Sequence, residues 1–216
     1  MVRWLETAGS ANEQQWRIIA SGEQLYLQAI NDAINHQAGD DTIVGNANDR
    51  SGADTPAKIQ AIVDAYAKIL AEANDSNANA GDNVADATPS ADPLASDYAA
   101  IGANIGAAAT DAENLALLND IVGASQTADV DAIADIENLA RIANAIQTIA
   151  AGQGASVSPA LSVADLTTIG LNATGVTNSN LPTLLAAIAA KADDGSATDS
   201  LAKLQALTDN LDKTAP

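Results

Sequence analysis

The chain contains no cysteine. That excludes disulfide staples, thiol catalysis and thiolate metal sites. Phenylalanine is also absent, and two Trp and three Tyr are the only aromatics among 216 residues. All five (Trp4, Trp16, Tyr26, Tyr66 and Tyr98) lie in the first half, so the second half must fold on Ala, Leu, Ile and Val alone. No run of about 18 apolar residues exists, so membrane insertion is not expected. Basic residues are scarce, 9 against 28 acidic ones, and the net charge is −19. Such a surface repels phosphate backbones and anionic lipid, which argues against nucleic acid as a partner. The N-terminus, Met1-Val2-Arg3-Trp4-Leu5-Glu6, lacks the apolar segment of a secretion signal. The chain is then either cytoplasmic or a piece of a longer protein, and its last helical segment favours a piece.

What is present is helical periodicity. Three segments carry apolar residues at spacings of three and four, which place them on one helix face. They are Ile59, Ile62, Tyr66 and Ile69; Ile136, Leu139, Ala143 and Ile146; and Leu201, Leu204, Leu207 and Leu211. Two shorter elements recur between them. Asp97-Tyr98-Ala99-Ala100-Ile101-Gly102 matches Asp165-Leu166-Thr167-Thr168-Ile169-Gly170. Ser96 or Asp97 starts a short helix in the first, Ser162 or Asp165 in the second, and Gly102 and Gly170 end it. Asn114-Leu115 and the residues after it match Asn180-Leu181, with Thr110 or Asp111 and Asn178 or Ser179 as helix starts. Pro182 falls in a first turn, where its missing N–H costs nothing.

Spacing between these elements varies mainly in one place. Ile59 to Ile136 is 77 residues and Ile136 to Leu201 is 65, and nine of the twelve extra residues lie between Ile69 and Asp97. Loops absorb insertions and packed helices do not. The expected fold class is therefore all-α, an elongated tandem array of small three-helix modules. Residues 1–54 form an N-terminal helical segment and polar linker, a partial module. Residues 55–132 form module 1, with a long loop at 74–95. Residues 133–197 form module 2, and residues 198–216 form the first helix of a further module. Within 1–54, Ser10 and Glu13 have capping-box spacing, and Trp16, Ile18, Ile19, Leu25, Leu27, Ile30 and Ile34 continue an apolar face. Thr55 before Pro56 marks the start of the first long helix.

No catalytic constellation is legible. His36 is the single histidine, placed near a helix end where an imidazolium favours the dipole. Paired carboxylates such as Asp129 and Asp131 lack an accompanying sugar platform, and Gly102-Ala103-Asn104-Ile105-Gly106 lacks the Lys of a phosphate loop. Calcium is the one candidate cofactor, because Asx-rich loops supply hard oxygen ligands. Its candidate ligands are Asp40, Asp41 and Asp49 in one loop and Asp82 and Asp86 in another, with Asp193, Asp194 and Asp199 flanking a third. None of these loops has the EF-hand ligand order. Candidate protein-contact residues are the aromatics Trp4, Trp16 and Tyr26.

The run Asp165 to Gly170, followed by Gly175-Val176-Thr177 and Asn180-Leu181, resembles the helical repeats of very long surface and biofilm-associated proteins of Gram-negative bacteria. The resemblance spans about residues 55 to 213. The first copy departs from it, with Gly106-Ala107-Ala108 where Gly175-Val176-Thr177 stands. It implies an extracellular, non-enzymatic stalk or adhesive array and carries over no functional residue. Two other roles fit the residues: a helical module docking a host, matrix or other protein partner, and a self-assembling surface-layer or filament subunit.

Overall fold

The computed structural model describes residues 3–6, 16–20, 23–25, 33, 53, 55–73, 91–152, 157–191 and 194–214. Among the described residues from 55 onward every regular element is helical, as expected of an all-α chain. Seven α-helices follow in order: α1 (Pro56–Glu72), α2 (Ala95–Ala100), α3 (Ala112–Ala124), α4 (Ile133–Ala150), α5 (Val163–Thr168), α6 (Leu181–Ala189) and α7 (Leu201–Thr214).

The N-terminal part departs from the expectation. It holds three short strands, β1 (Arg3–Glu6), β2 (Trp16–Ala20) and β3 (Glu23–Leu25), paired antiparallel in the order β1-β2-β3. Trp4 lies opposite Ile18, Glu6 opposite Trp16, and Ile18 opposite Leu25. The apolar face read here as a helix is therefore interrupted by a sheet. Trp16-Arg17-Ile18-Ile19-Ala20 is too short for its period to separate helix from strand, and its aromatic and β-branched residues favour the pleated form.

Local chemistry sets the helix starts. Thr55 caps α1 by accepting from the Lys58 N–H at 3.3 Å, and Pro56 occupies the first turn. Asp111 caps α3 by accepting from the Glu113 and Asn114 N–H groups at 3.1 and 3.0 Å. Ser162 and Asp165 form a reciprocal capping box on α5. Gly102 and Gly170 end the two short helices at φ +83° and +85°. In each case the glycine N–H bonds back three residues and the next N–H bonds back five, to Tyr98 and Leu166 respectively. This is the Schellman closure, and its left-handed residue is why glycine stands at both places.

A single apolar core runs through the helices. It takes in Tyr66 and Ile69 of α1, Tyr98 of α2, Leu117 and Ile121 of α3, Leu166 of α5, Leu184 and Ile188 of α6 and Leu204 of α7. Helix α4 lies at its centre, packed on α3 before it and α6 after it. Ile133, Ile136, Ile142, Ala143 and Ile146 of α4 are all fully buried. Burying one such branched side chain stabilises by roughly 1.5–3 kcal/mol. The two core tyrosines satisfy their hydroxyls: Tyr66 donates to the Val130 carbonyl at 2.6 Å and Tyr98 to Asn119 Oδ1 at 2.8 Å.

Candidate functional site

One polar junction of the helical region occurs twice. In the first, the Asp97 carboxylate has two partners. One oxygen accepts from Lys68 Nζ of α1 and the other from the Leu94 N–H, both at 2.8 Å. In the second, Asp165 pairs with Arg141 of α4 and accepts from the Ser162 N–H at 2.8 Å and from Ser162 Oγ at 2.7 Å. A long helix thus supplies a cation to the carboxylate that caps the short helix following it. Burial pushes Asp165 up, but hydrogen bonds from Ser162 and Arg141, with the Arg141 charge, outweigh it and hold the carboxyl below the usual range. Burial and the nearby carboxylates Glu72, Asp92 and Asp97 raise the Tyr98 hydroxyl, so it stays a neutral donor.

A second contact recurs at identical spacing. The Asn104 N–H donates to Glu137 Oε1 at 2.8 Å, 33 residues on. The Asn172 N–H donates to Gln205 Oε1 at 2.8 Å, again 33 residues on. Gln205 Nε2 returns a bond to the Asn172 carbonyl at 3.2 Å. Within each turn, the Asn side chain accepts from the N–H two residues later, that of Gly106 or of Thr174. These contacts equate Glu137 with Gln205, and so Ile136 with Leu204. The pairing of Ile136 with Leu201 read from periodicity is out by three residues. An apolar stripe matches nearly as well after sliding one helical turn, and only the polar contacts fix the register.

A third feature lies in the first copy. Asn144 of α4 accepts from the Ala108 N–H at 3.1 Å and from Asn114 Nδ2 at 2.7 Å, and donates to the Ile105 carbonyl at 2.8 Å. Gly106 approaches it with φ +59°, where an added Cβ would lie 2.7 Å from Asn144 Nδ2. Gly152 also has positive φ, +69°, but opens on empty space. Gly152→Ala is therefore expected to cost about 1–2 kcal/mol, the left-handed penalty alone. Gly106→Ala should cost about 2–4 kcal/mol, because overlap adds to that penalty. Urea titration of the two variants checks the difference.

Two open depressions flank α4. One, about 440 Å³, is lined by Asp129, Asp135, Asn138, Leu139, Thr167 and Thr168. The other, about 390 Å³, is lined by Arg141, Asn144, Thr148, Val157 and Pro159 among others. Arg141, in the second, is already engaged by Asp165.

The residues singled out from sequence fall as follows. Trp4 lies in β1 and Trp16 in β2. Tyr26, His36 and the calcium candidates Asp40, Asp41, Asp49, Asp82 and Asp86 lie outside the described residues, as does Asp193. Asp194 accepts from Ser196 N and Oγ at 3.1 and 2.7 Å, which holds its carboxyl below the usual range. Asp199 pairs with Lys203 at 2.5 Å. Both are thus engaged in local turn and helix contacts. Among the described residues, no group of three or more His, Cys, Asp or Glu is placed to hold a metal ion, and no helix is long and apolar enough to cross a membrane. The junction residues Lys68, Arg141, Asn104, Asn172, Glu137 and Gln205 were not legible as functional. Their signal is the equal spacing of Asn104 from Glu137 and of Asn172 from Gln205.

The chain matches no model of a known protein family, no curated protein and no solved structure.

Proposed function

We propose that this chain is a non-enzymatic structural repeat segment, a stalk or adhesive array of small three-helix modules within a bacterial extracellular surface protein. The observation that carries the reading is the recurrence of one contact set. Short helix, Schellman glycine, Asn turn and long-helix Glu or Gln return with the same 33-residue spacing in both halves. Repeat proteins keep such unit-to-unit contacts because each unit buries its apolar face only against its neighbours. The paired Lys68–Asp97 and Arg141–Asp165 junctions fit the same role, since each ties a long helix to the unit after it. The excess of acidic residues keeps copies apart in solution, as suits an exposed array. Placement outside the cell and the adhesive role rest on the resemblance of the Asp165–Leu181 stretch to bacterial surface repeats.

An array of this kind is elongated. A compact chain of this length has a radius of gyration of about 17 Å. Small-angle scattering at physiological salt should give a larger value and a pair-distance distribution with a long tail. A symmetric distribution at the compact value would count against a stalk.

A further inference from the structure

The turn that leads into α7 is seated against α3 and α4 with little room. Gly195 is buried there at φ +76°, and a Cβ added to it would lie 2.7 Å from Gln147 Oε1 of α4 and 3.0 Å from Glu113 Cβ of α3. The left-handed backbone and the tight fit both demand glycine at this place. Three bonds fasten the residues that follow. Thr198 Oγ1 donates to Gln147 Oε1 at 3.0 Å, the Leu201 N–H to Asp120 Oδ2 of α3 at 2.5 Å, and Lys203 Nζ to the Ser196 carbonyl at 2.8 Å. The residue before the glycine is Asp194, which is exposed and turned back on the chain, its carboxylate accepting from the Ser196 N–H and Oγ. This is the only Asp–Gly pair in the sequence, and there is no Asn–Gly pair. Glycine has no side chain to shield its nitrogen from the carboxyl group beside it. In the turn before α4, by contrast, Asp129 is followed by Val130, whose branched side chain crowds that nitrogen.

We propose that Asp194–Gly195 is a self-modification site at which the chain forms isoaspartate, and that the change releases α7 from α3 and α4. The Gly195 nitrogen attacks Cγ of the protonated Asp194 carboxyl. The N–H proton and the carboxyl hydroxyl leave together as water, and a five-membered succinimide closes. Water then opens the ring. Attack at the side-chain carbonyl restores aspartate. Attack at the main-chain carbonyl breaks its bond to the Gly195 nitrogen, so the backbone now runs through Cβ and Cγ and a free carboxylate stands on Cα. No cofactor or oxidant enters, and mass and net charge end unchanged. The seated turn opposes ring closure, because Ser196 holds the carboxyl and Gly195 has no room to move. The reaction proceeds when the turn lifts. Gln147 lowers the cost of lifting, since its Nε2 is buried with no hydrogen-bond partner among the described residues and gains water when the turn leaves. Isoaspartate then adds one carbon, about 1.5 Å of backbone, directly before a residue with no space for a single added carbon. Gly195 cannot return to its slot while Thr198 and Leu201 keep their partners.

The test ages the full chain at physiological temperature and neutral pH, beside the variant Asp194→Asn. Asparagine keeps an acceptor for Ser196, and it reaches the same succinimide faster by losing ammonia, which the mass gain of deamidation marks. Electron-transfer fragmentation of the peptide spanning residues 192–203 locates isoaspartate. Amide exchange over residues 201–207 is compared before and after conversion. Isoaspartate should accumulate at residue 194 ahead of Asp129 and Asp199, and sooner in the variant. In converted chains the first turns of α7 should exchange at least about tenfold faster, while residues 139–146 of α4 stay unchanged. Treatment with an isoaspartyl methyltransferase, used as a repair reagent, should restore slow exchange. No more isoaspartate at residue 194 than at Asp129 would overturn the site. Isoaspartate at residue 194 with unchanged exchange in α7 would overturn the release. Neither result bears on the stalk reading, which rests on other contacts.

Discussion

Replacing Ile142 by Ala should lower the unfolding free energy by about 2–5 kcal/mol, whereas Asn210→Ala, at the same place in the last helix, should change it by less than about 0.5 kcal/mol. Ile142 is fully buried in α4, and its truncation removes three heavy atoms from a packed interior. The loss combines the transfer free energy of those atoms with the cavity they leave. Asn210 is exposed, so its truncation leaves no comparable cavity. The contrast expresses the difference between a buried and an exposed residue at corresponding places in the two helices. Guanidinium titrations of the two variants measure it. Equal costs would mean that α4 and α7 do not stand in corresponding positions.

The second large effect concerns the amide at the centre of the first copy. Asn144→Leu should cost about 2–4 kcal/mol, although the replacement is close in size and more apolar. The native side chain satisfies the Ala108 N–H, the Asn114 amide and the Ile105 carbonyl together. Leucine leaves the Asn114 amide without this acceptor, at a desolvation penalty of about 1–3 kcal/mol, and strips the Ala108 N–H and the Ile105 carbonyl back to the 3.2 Å bond they make with each other. Asn144→Asp should fall between, since it keeps an acceptor for the two donors and loses only the bond to Ile105. Thermal melts of the three chains should rank wild type, Asp, then Leu. A leucine variant as stable as wild type would show that the turn at residues 104–108 holds without Asn144.

Features written in consecutive residues could be read from the chain before its structure. Thr55-Pro56 starts α1, the Ser162 and Asp165 pair starts α5, and Gly102 and Gly170 close the short helices. Each is a local solution to unpaired backbone groups at a helix end. Features that depend on residues far apart were not legible. The Arg141–Asp165 pair spans 24 residues and the Lys68–Asp97 pair spans 29, and no periodicity announces them. The alignment of α4 with α7 was displaced by three residues for a related reason. Apolar stripes repeat every three or four positions, so they fix a helix face and not its axial register. Around Trp16 the error lay in the element type, because five apolar-rich residues suit a strand as well as a turn and a half of helix. The candidate metal-ligating loops remain defined by composition alone, since Asp40, Asp41, Asp49, Asp82 and Asp86 lie outside the described residues.

The central claim is that the two halves are built on one unit in a fixed register, and amide spectroscopy of two single variants tests it most directly. Glu137→Ala removes the acceptor of the Asn104 N–H, and Gln205→Ala removes the acceptor of the Asn172 N–H. With each variant, the amide 33 residues earlier should exchange faster and shift toward its solvent-exposed position, while the other amide stays unchanged. If neither amide responds, or if Asn172 responds to replacement of Lys203 or Ala202 instead, the shared register is wrong and the two halves are merely similar helices.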